Sequence, residues 1–130
     1  MDGKKKILAV DDENDILLIL KTALLSEGFD VTTAGSGPEA LTAMAEQTPD
    51  LVILDIMMPE MTGFDVLDQM RKNPALQAVP VIMLTGTVDK DKIREAIDTG
   101  VSYYIVKPFE FHDLISKVRL AIADAEQATF

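Results

Sequence analysis

The sequence predicts a doubly wound α/β fold: a five-stranded parallel sheet covered by helices on both faces. Three observations predict it. Short, continuous apolar runs recur along the chain, as strands buried on both faces require. Amphipathic stretches of helical length separate them, which is the pattern of βαβ units. At 130 residues the chain suits a single domain, 1–130, with a core over about 5–126.

In chain order, ILAV at 7–10 is the first strand, and 14–27 is a helix closed by Gly28. Within it, ILLILKTALL has eight apolar residues in ten. Helical spacing puts Ile16, Leu20, Ala23 and Leu24 on one core stripe and projects Leu18 and Leu25 nearly opposite. DVTTA at 30–34 alternates and is the least apolar strand, so it is expected at a sheet edge. Pro38 sits in the opening turn of a helix over 37–47. LVIL at 51–54 is the third strand, and Asn73-Pro74 closes a helix over 63–72. PVIML at 80–84 precedes a helix over 89–99 that ends at Gly100. That helix offers only Ile93, Ala96 and Ile97 as a thin apolar stripe. YYIV at 103–106 is the last strand, and the helix over 110–126 lays Phe111, Leu114, Ile115, Val118, Ala121 and Ile122 on one covering face.

Composition narrows the function. The formal charge of −10 disfavours non-specific binding to nucleic acid or an anionic membrane, since both require a basic face. There is no cysteine and no run approaching the ~20 apolar residues of a membrane helix. The apolar run after the basic start MDGKKK is far shorter than the roughly 7–15 residues of a signal peptide core. A cytoplasmic location is expected. The chain has no repeat, low-complexity stretch or internal linker.

Sites in such sheets lie outside the carboxyl ends of the strands. After the first strand come Asp11, Asp12 and Glu13; after the third, Asp55; after the fourth, Thr85, Gly86 and Thr87; after the fifth, Lys107 and Pro108. Carboxylates gathered in a crevice repel, and a shared cation relieves the repulsion. All-oxygen donors favour a hard ion, so Mg²⁺ is expected, with Mn²⁺ able to substitute. Lys107 and Thr85 suit the oxygens of a phosphoryl group, and an ionised aspartate can attack phosphorus to form an acyl phosphate. Asp55 is the candidate nucleophile because it follows the central strand. Pro59 and Gly63 are expected to turn the chain away and leave its carboxylate accessible rather than buried. Taken singly these residues have plainer readings, Asp11-Asp12 for one as a helix N-terminus. Their joint placement after four strands of one sheet favours the functional one. Tyr104, within the last strand, reads from residue type alone as a core aromatic.

ILAVDDE, LVILDIMMPEMTGFDVL, PVIMLTG and YYIVKPF, in this order, resemble the response regulator receiver domain of two-component signalling across essentially the whole chain. The resemblance implies a flavodoxin-like sheet of order 2-1-3-4-5, as in the chemotaxis regulator that serves as a standard example of the fold. It implies that Asp55 accepts a phosphoryl group from a histidine kinase or histidine phosphotransfer protein. Asp12, Asp55 and the Met57 carbonyl would ligate Mg²⁺, with Asp11 acting mostly through water. Lys107 would pair with the carboxylate or phosphoryl group, Thr85 would swing toward it, and Tyr104 would turn inward as Thr85 moves. The Lys107–Pro108 bond is expected to be cis. Phosphorylation would shift the 85–107 surface, chiefly the 85–89 loop and the helix after it, and so alter binding to a downstream protein target. A phosphorylation-dependent dimer through 89–126 is expected by analogy.

Such a chain would catalyse its own phosphorylation and slow dephosphorylation without turning over an external substrate. The bulk of Met57 should hinder an in-line water, and Thr87 offers no acid or amide to orient one. Leu18 and Leu25 are expected to form a docking patch for a kinase or phosphotransfer protein, and His112 to be a solvated residue. Because the chain stops four residues after its last helix, it is expected to be a stand-alone or excised receiver. A phosphatase of the aspartyl-phosphate class would need an acid where Met57 stands. A flavodoxin-type phosphate loop would need neutral donors where Asp11, Asp12 and Glu13 stand.

Overall fold

The computed structural model describes residues 3–86 and 90–127. Five strands and five helices alternate: β1 (Lys6–Val10), α1 (Asn14–Ser26), β2 (Asp30–Ala34), α2 (Gly37–Glu46), β3 (Leu51–Asp55), α3 (Gly63–Lys72), β4 (Val81–Thr85), α4 (Lys90–Asp98), β5 (Tyr103–Val106) and α5 (Phe111–Gln127). The strands form one parallel sheet in the order β2-β1-β3-β4-β5. The doubly wound architecture and its strand order are as expected, and β2 is an edge.

Strand alternation divides the core in two. Ile7 and Ala9 of β1, Leu51 and Ile53 of β3, and Ile82 and Leu84 of β4 pack under α1 and α5. Leu8 and Val10, Val52 and Leu54, and Val81 and Met83 face the other way, under α2, α3 and Ala96 of α4. Winding reverses at β1, so the loops after β1 and β3 diverge to opposite faces and leave a crevice between them.

Local chemistry sets the boundaries. Ser36 caps α2 by accepting from the Glu39 amide, with Pro38 in the first turn. Thr62 and Asp65 form a reciprocal capping box on α3. Gly28 and Gly100 adopt positive φ just after α1 and α4, the backbone conformation glycine favours at helix ends. β4 lies one residue later than expected because Pro80, lacking an N–H, contributes only its carbonyl, which accepts from Val52.

Three details correct the sequence reading. Leu17 joins Leu20 and Leu24 as a buried residue of α1, while Ile16 and Ala23 are half-buried. Leu18 and Leu25 are exposed as expected, and Ile19 is exposed with them. Phe111 does not join the covering face of α5: it is 39% exposed and lines a cavity with Leu18, Ile19 and Thr22 of α1. It is the first residue of its helix and lies beside α1.

Candidate functional site

The carboxyl ends of four strands deliver the candidate residues to one rim. Asp11 follows β1 and its amide donates to Ala34 at the end of β2. Asp55 closes β3, Thr85 closes β4, and the Lys107 amide donates to the Thr85 carbonyl at 2.7 Å. The Lys107–Pro108 peptide is cis, as the resemblance implied. Behind Asp55 the backbone of α3 comes so close that a Cβ on Gly63 would collide with the Asp55 carbonyl oxygen. The Gly63 amide uses that approach to donate to the Ile56 carbonyl at 2.9 Å.

Lys107 is the hub. Its Nζ lies 2.8 Å from Asp11 Oδ2, 3.1 Å from Glu13 Oε1 and 3.5 Å from Asp55 Oδ2. The Asp11 carboxylate also accepts from the Glu13 amide, and the Asp55 carboxylate from the Met57 amide at 3.2 Å. Asp11 and Thr85 are fully buried, whereas Asp12 is exposed. Asp55 is only 2% exposed, contrary to the expectation of an accessible carboxylate. Gly63 brings the chain back against the Asp55 carbonyl, and Lys107, paired with Asp11, reaches to within 3.5 Å of the carboxylate.

Burial pushes the Asp55 carboxyl up to about 7, the nearby Asp11 charge adds to the rise, and Lys107 with the Met57 amide only partly offsets them. Burial lowers the Lys107 ammonium, but its contacts with Asp11 and Glu13 and the charge of Asp55 outweigh this and raise it. In a rim without a second cation, one carboxylate therefore sits close to taking up a proton.

The donor set fits a hard cation. Asp11, Asp12 and Asp55 each offer a carboxylate oxygen, and these oxygens lie within 4.8 Å of one another. Asp11 Oδ2 is buried, and although Lys107 is close, it has no partner with hydrogen-bond geometry. A buried anionic oxygen in that condition is a group a cation would satisfy.

The structure brings together Asp11, Asp12, Asp55, Thr85 and Lys107. Met57, two residues beyond Asp55, is 55% exposed, and Tyr104 is 36% exposed on β5. Tyr104 lines a cavity of about 510 Å³ with Ile97, Phe109 and Lys117. Thr87 lies outside the described residues. Leu18 and Leu25 lie on α1, outside the rim residues. The rim also contains Glu13, to which the sequence reading gave no role. At a helix start its carboxylate passes for a first-turn acid, and only the fold reveals Lys107 beside it.

Residues 7–119 match the family described as the response regulator receiver domain. A probable transcriptional regulator, ycf27, of Guillardia theta is 39% identical over all 130 residues, which cover 50% of that protein. The DNA-binding response regulator MtrA of Mycobacterium tuberculosis is 40% identical over 116 residues, 89% of this chain and 50% of its own length. Among solved structures, a receiver domain protein from Clostridium thermocellum is 35% identical with a TM-score of 0.88, covering 95% of this chain and 98% of that one. The chemotaxis protein CheY4 of Vibrio cholerae is 32% identical with a TM-score of 0.87, covering 92% and 99%. The chain belongs to the response regulator receiver domain family, the phosphorylation-activated switches of two-component signalling. It spans about half the length of the curated relatives it matches.

Proposed function

We propose that this chain is a single receiver domain, 1–130, that accepts a phosphoryl group on Asp55 from a histidine kinase or histidine phosphotransfer protein and so alters its binding to a downstream target. The observation that carries this reading is the convergence of Asp55, Lys107 and two further aspartates, from three separate loops, on one buried strand end. The Asp55 oxygen forms the new bond to phosphorus as the bond to the donor imidazole nitrogen breaks. Lys107, released from part of its carboxylate pairing, follows the negative charge onto the phosphoryl oxygens. Asp11, Asp12, Asp55 and the Met57 carbonyl would hold Mg²⁺, or Mn²⁺ in its place. Bound there, the ion supplies positive charge that the single lysine cannot.

Thr85, buried at the end of β4, donates its hydroxyl to the phosphoryl group. Tyr104 is the switch residue: it lies outward in the present arrangement and moves inward as Thr85 is drawn toward the rim. The 85–107 surface is then the part whose population shifts, and 89–126 the face of a phosphorylation-dependent dimer. Leu18 and Leu25 on α1 serve donor docking. Among the described residues no helix is long and apolar enough to cross a membrane, in keeping with a cytoplasmic placement. DNA binding, as named for the mycobacterial relatives, would belong to a longer protein; with a charge of −10 this chain is assigned no direct nucleic-acid contact.

Incubation with acetyl phosphate and Mg²⁺ tests the reading. A mass increase of one phosphoryl group should map to Asp55 and disappear in Asp55→Asn. An unmodified wild-type protein, or an adduct retained in Asp55→Asn, would refute it.

A further inference from the structure

The geometry points to Glu13 as a positioning residue that competes with Asp55 for Lys107 until the phosphoryl group arrives. This rests on Asp55 being the acceptor. Glu13 immediately precedes α1 in extended backbone, the place where a side chain ordinarily accepts from the first-turn amides. It makes no such bond. Its backbone fills the local needs instead, the carbonyl accepting from Leu17 and the amide donating to Asp11. That leaves the carboxylate free to reach across to β5, where it lies nearer the Lys107 ammonium than Asp55 does, 3.1 Å against 3.5 Å.

The two flanking ion pairs differ in kind. Asp11 is wholly buried, so its bridge to Lys107 is protected from water, whereas the Glu13 side chain is 62% exposed. The Glu13 arm is therefore the releasable one: water can solvate its carboxylate as soon as the ammonium leaves. Three carboxylates share the lysine in the resting state. New negative charge on Asp55 competes for that lysine, and the Glu13 bridge is the first to open. Breaking the pair belongs to the path of phosphoryl transfer, so removing Glu13 should make transfer faster rather than slower.

Glu13→Gln keeps the shape and removes the charge, whereas Glu13→Asp keeps the net charge and falls one methylene short of Lys107. Phosphorylation of Asp55 by acetyl phosphate and Mg²⁺, with acetate leaving, is followed by intact mass. Both variants should phosphorylate about 2- to 5-fold faster than wild type, the span of an exposed ion pair. In the unphosphorylated proteins, ¹⁵N NMR of the lysine ammonium groups should show the Lys107 signal moving in both variants. Equal rates in all three proteins, slower transfer, or acceleration in Glu13→Gln alone would overturn the positioning role. The last result would instead indicate a field effect of the carboxylate on the anionic donor. Failure of wild type to gain any Asp55 adduct overturns the acceptor reading and the inference with it, whereas an adduct formed at one common rate removes only the inference.

Discussion

We propose that Met57 shields Asp55 after transfer: two residues beyond the buried acceptor, its side chain is 55% exposed. An in-line water must approach past that thioether. Met57→Ala should shorten the acyl phosphate lifetime several-fold, measured as loss of the Asp55 adduct after the donor is removed. A wild-type lifetime of seconds, or an unchanged lifetime in Met57→Ala, would count against a shielding role. Residue identities were the most legible part of this site: an aspartate ending an apolar run, and a Lys-Pro pair ending another, are visible in the chain itself. The burial of Asp55 was not, nor were its neighbours Lys107 and Asp11, which stand 52 and 44 positions away in sequence.

At the scale of elements, α1 and α4 differ in how firmly they are held. α1 buries Leu17, Leu20 and Leu24 and still exposes Leu18, Ile19 and Leu25. Leu18→Glu should slow phosphotransfer from a cognate kinase and leave acetyl phosphate reactivity intact; equal kinase rates would remove the docking role. α4 buries Ala96, half-buries Ile93, and leaves Ile97 58% exposed. Its far end depends on Arg71 of α3, whose guanidinium donates to the carbonyls of Gln77, Val79 and Gly100 at 3.0, 3.3 and 3.4 Å. Arg71→Ala should cost about 1 kcal/mol of stability, since water can reach most of the acceptors it leaves. Amide exchange at Gly100 and Val101 should quicken beyond that of the sheet; uniform exchange would show that the arginine does not tie α4 down. Helix periodicity disclosed the core stripes well, since angle along a helix is a property of spacing. It misplaced Phe111, because spacing does not say which neighbouring element the first residue of a helix meets, here α1.

The molecule as a whole should carry the charge imbalance of its rim into its stability. The Asp55 carboxyl titrates at about 7 when folded against 3.8 as its ordinary value. Folding therefore favours the protonated group, and this contribution is complete below about pH 4 and lost as pH rises through about 7. In chelator, the denaturation midpoint of wild type should fall relative to that of Asp55→Asn between these limits. Mg²⁺ should recover the difference above pH 7 by binding only the folded rim. Parallel pH profiles for the two proteins would exclude Asp55 as the source. The fold was read from the chain almost to the residue because parallel strands buried on both faces are continuous apolar runs. The pairings between loops were not, since no spacing rule links Glu13 to Lys107.

Among the described residues the only buried polar side chains are Asp11, Asp55 and Thr85, and all three belong to one rim. The other buried side chains are apolar. Buried polar chemistry is thus confined to one rim, and with donor docking assigned to Leu18 and Leu25, the outer face of α1 can drift toward new correspondents without disturbing the reactive end. Duplicated copies of such a chain can become private lines that share one reaction while remaining deaf to one another.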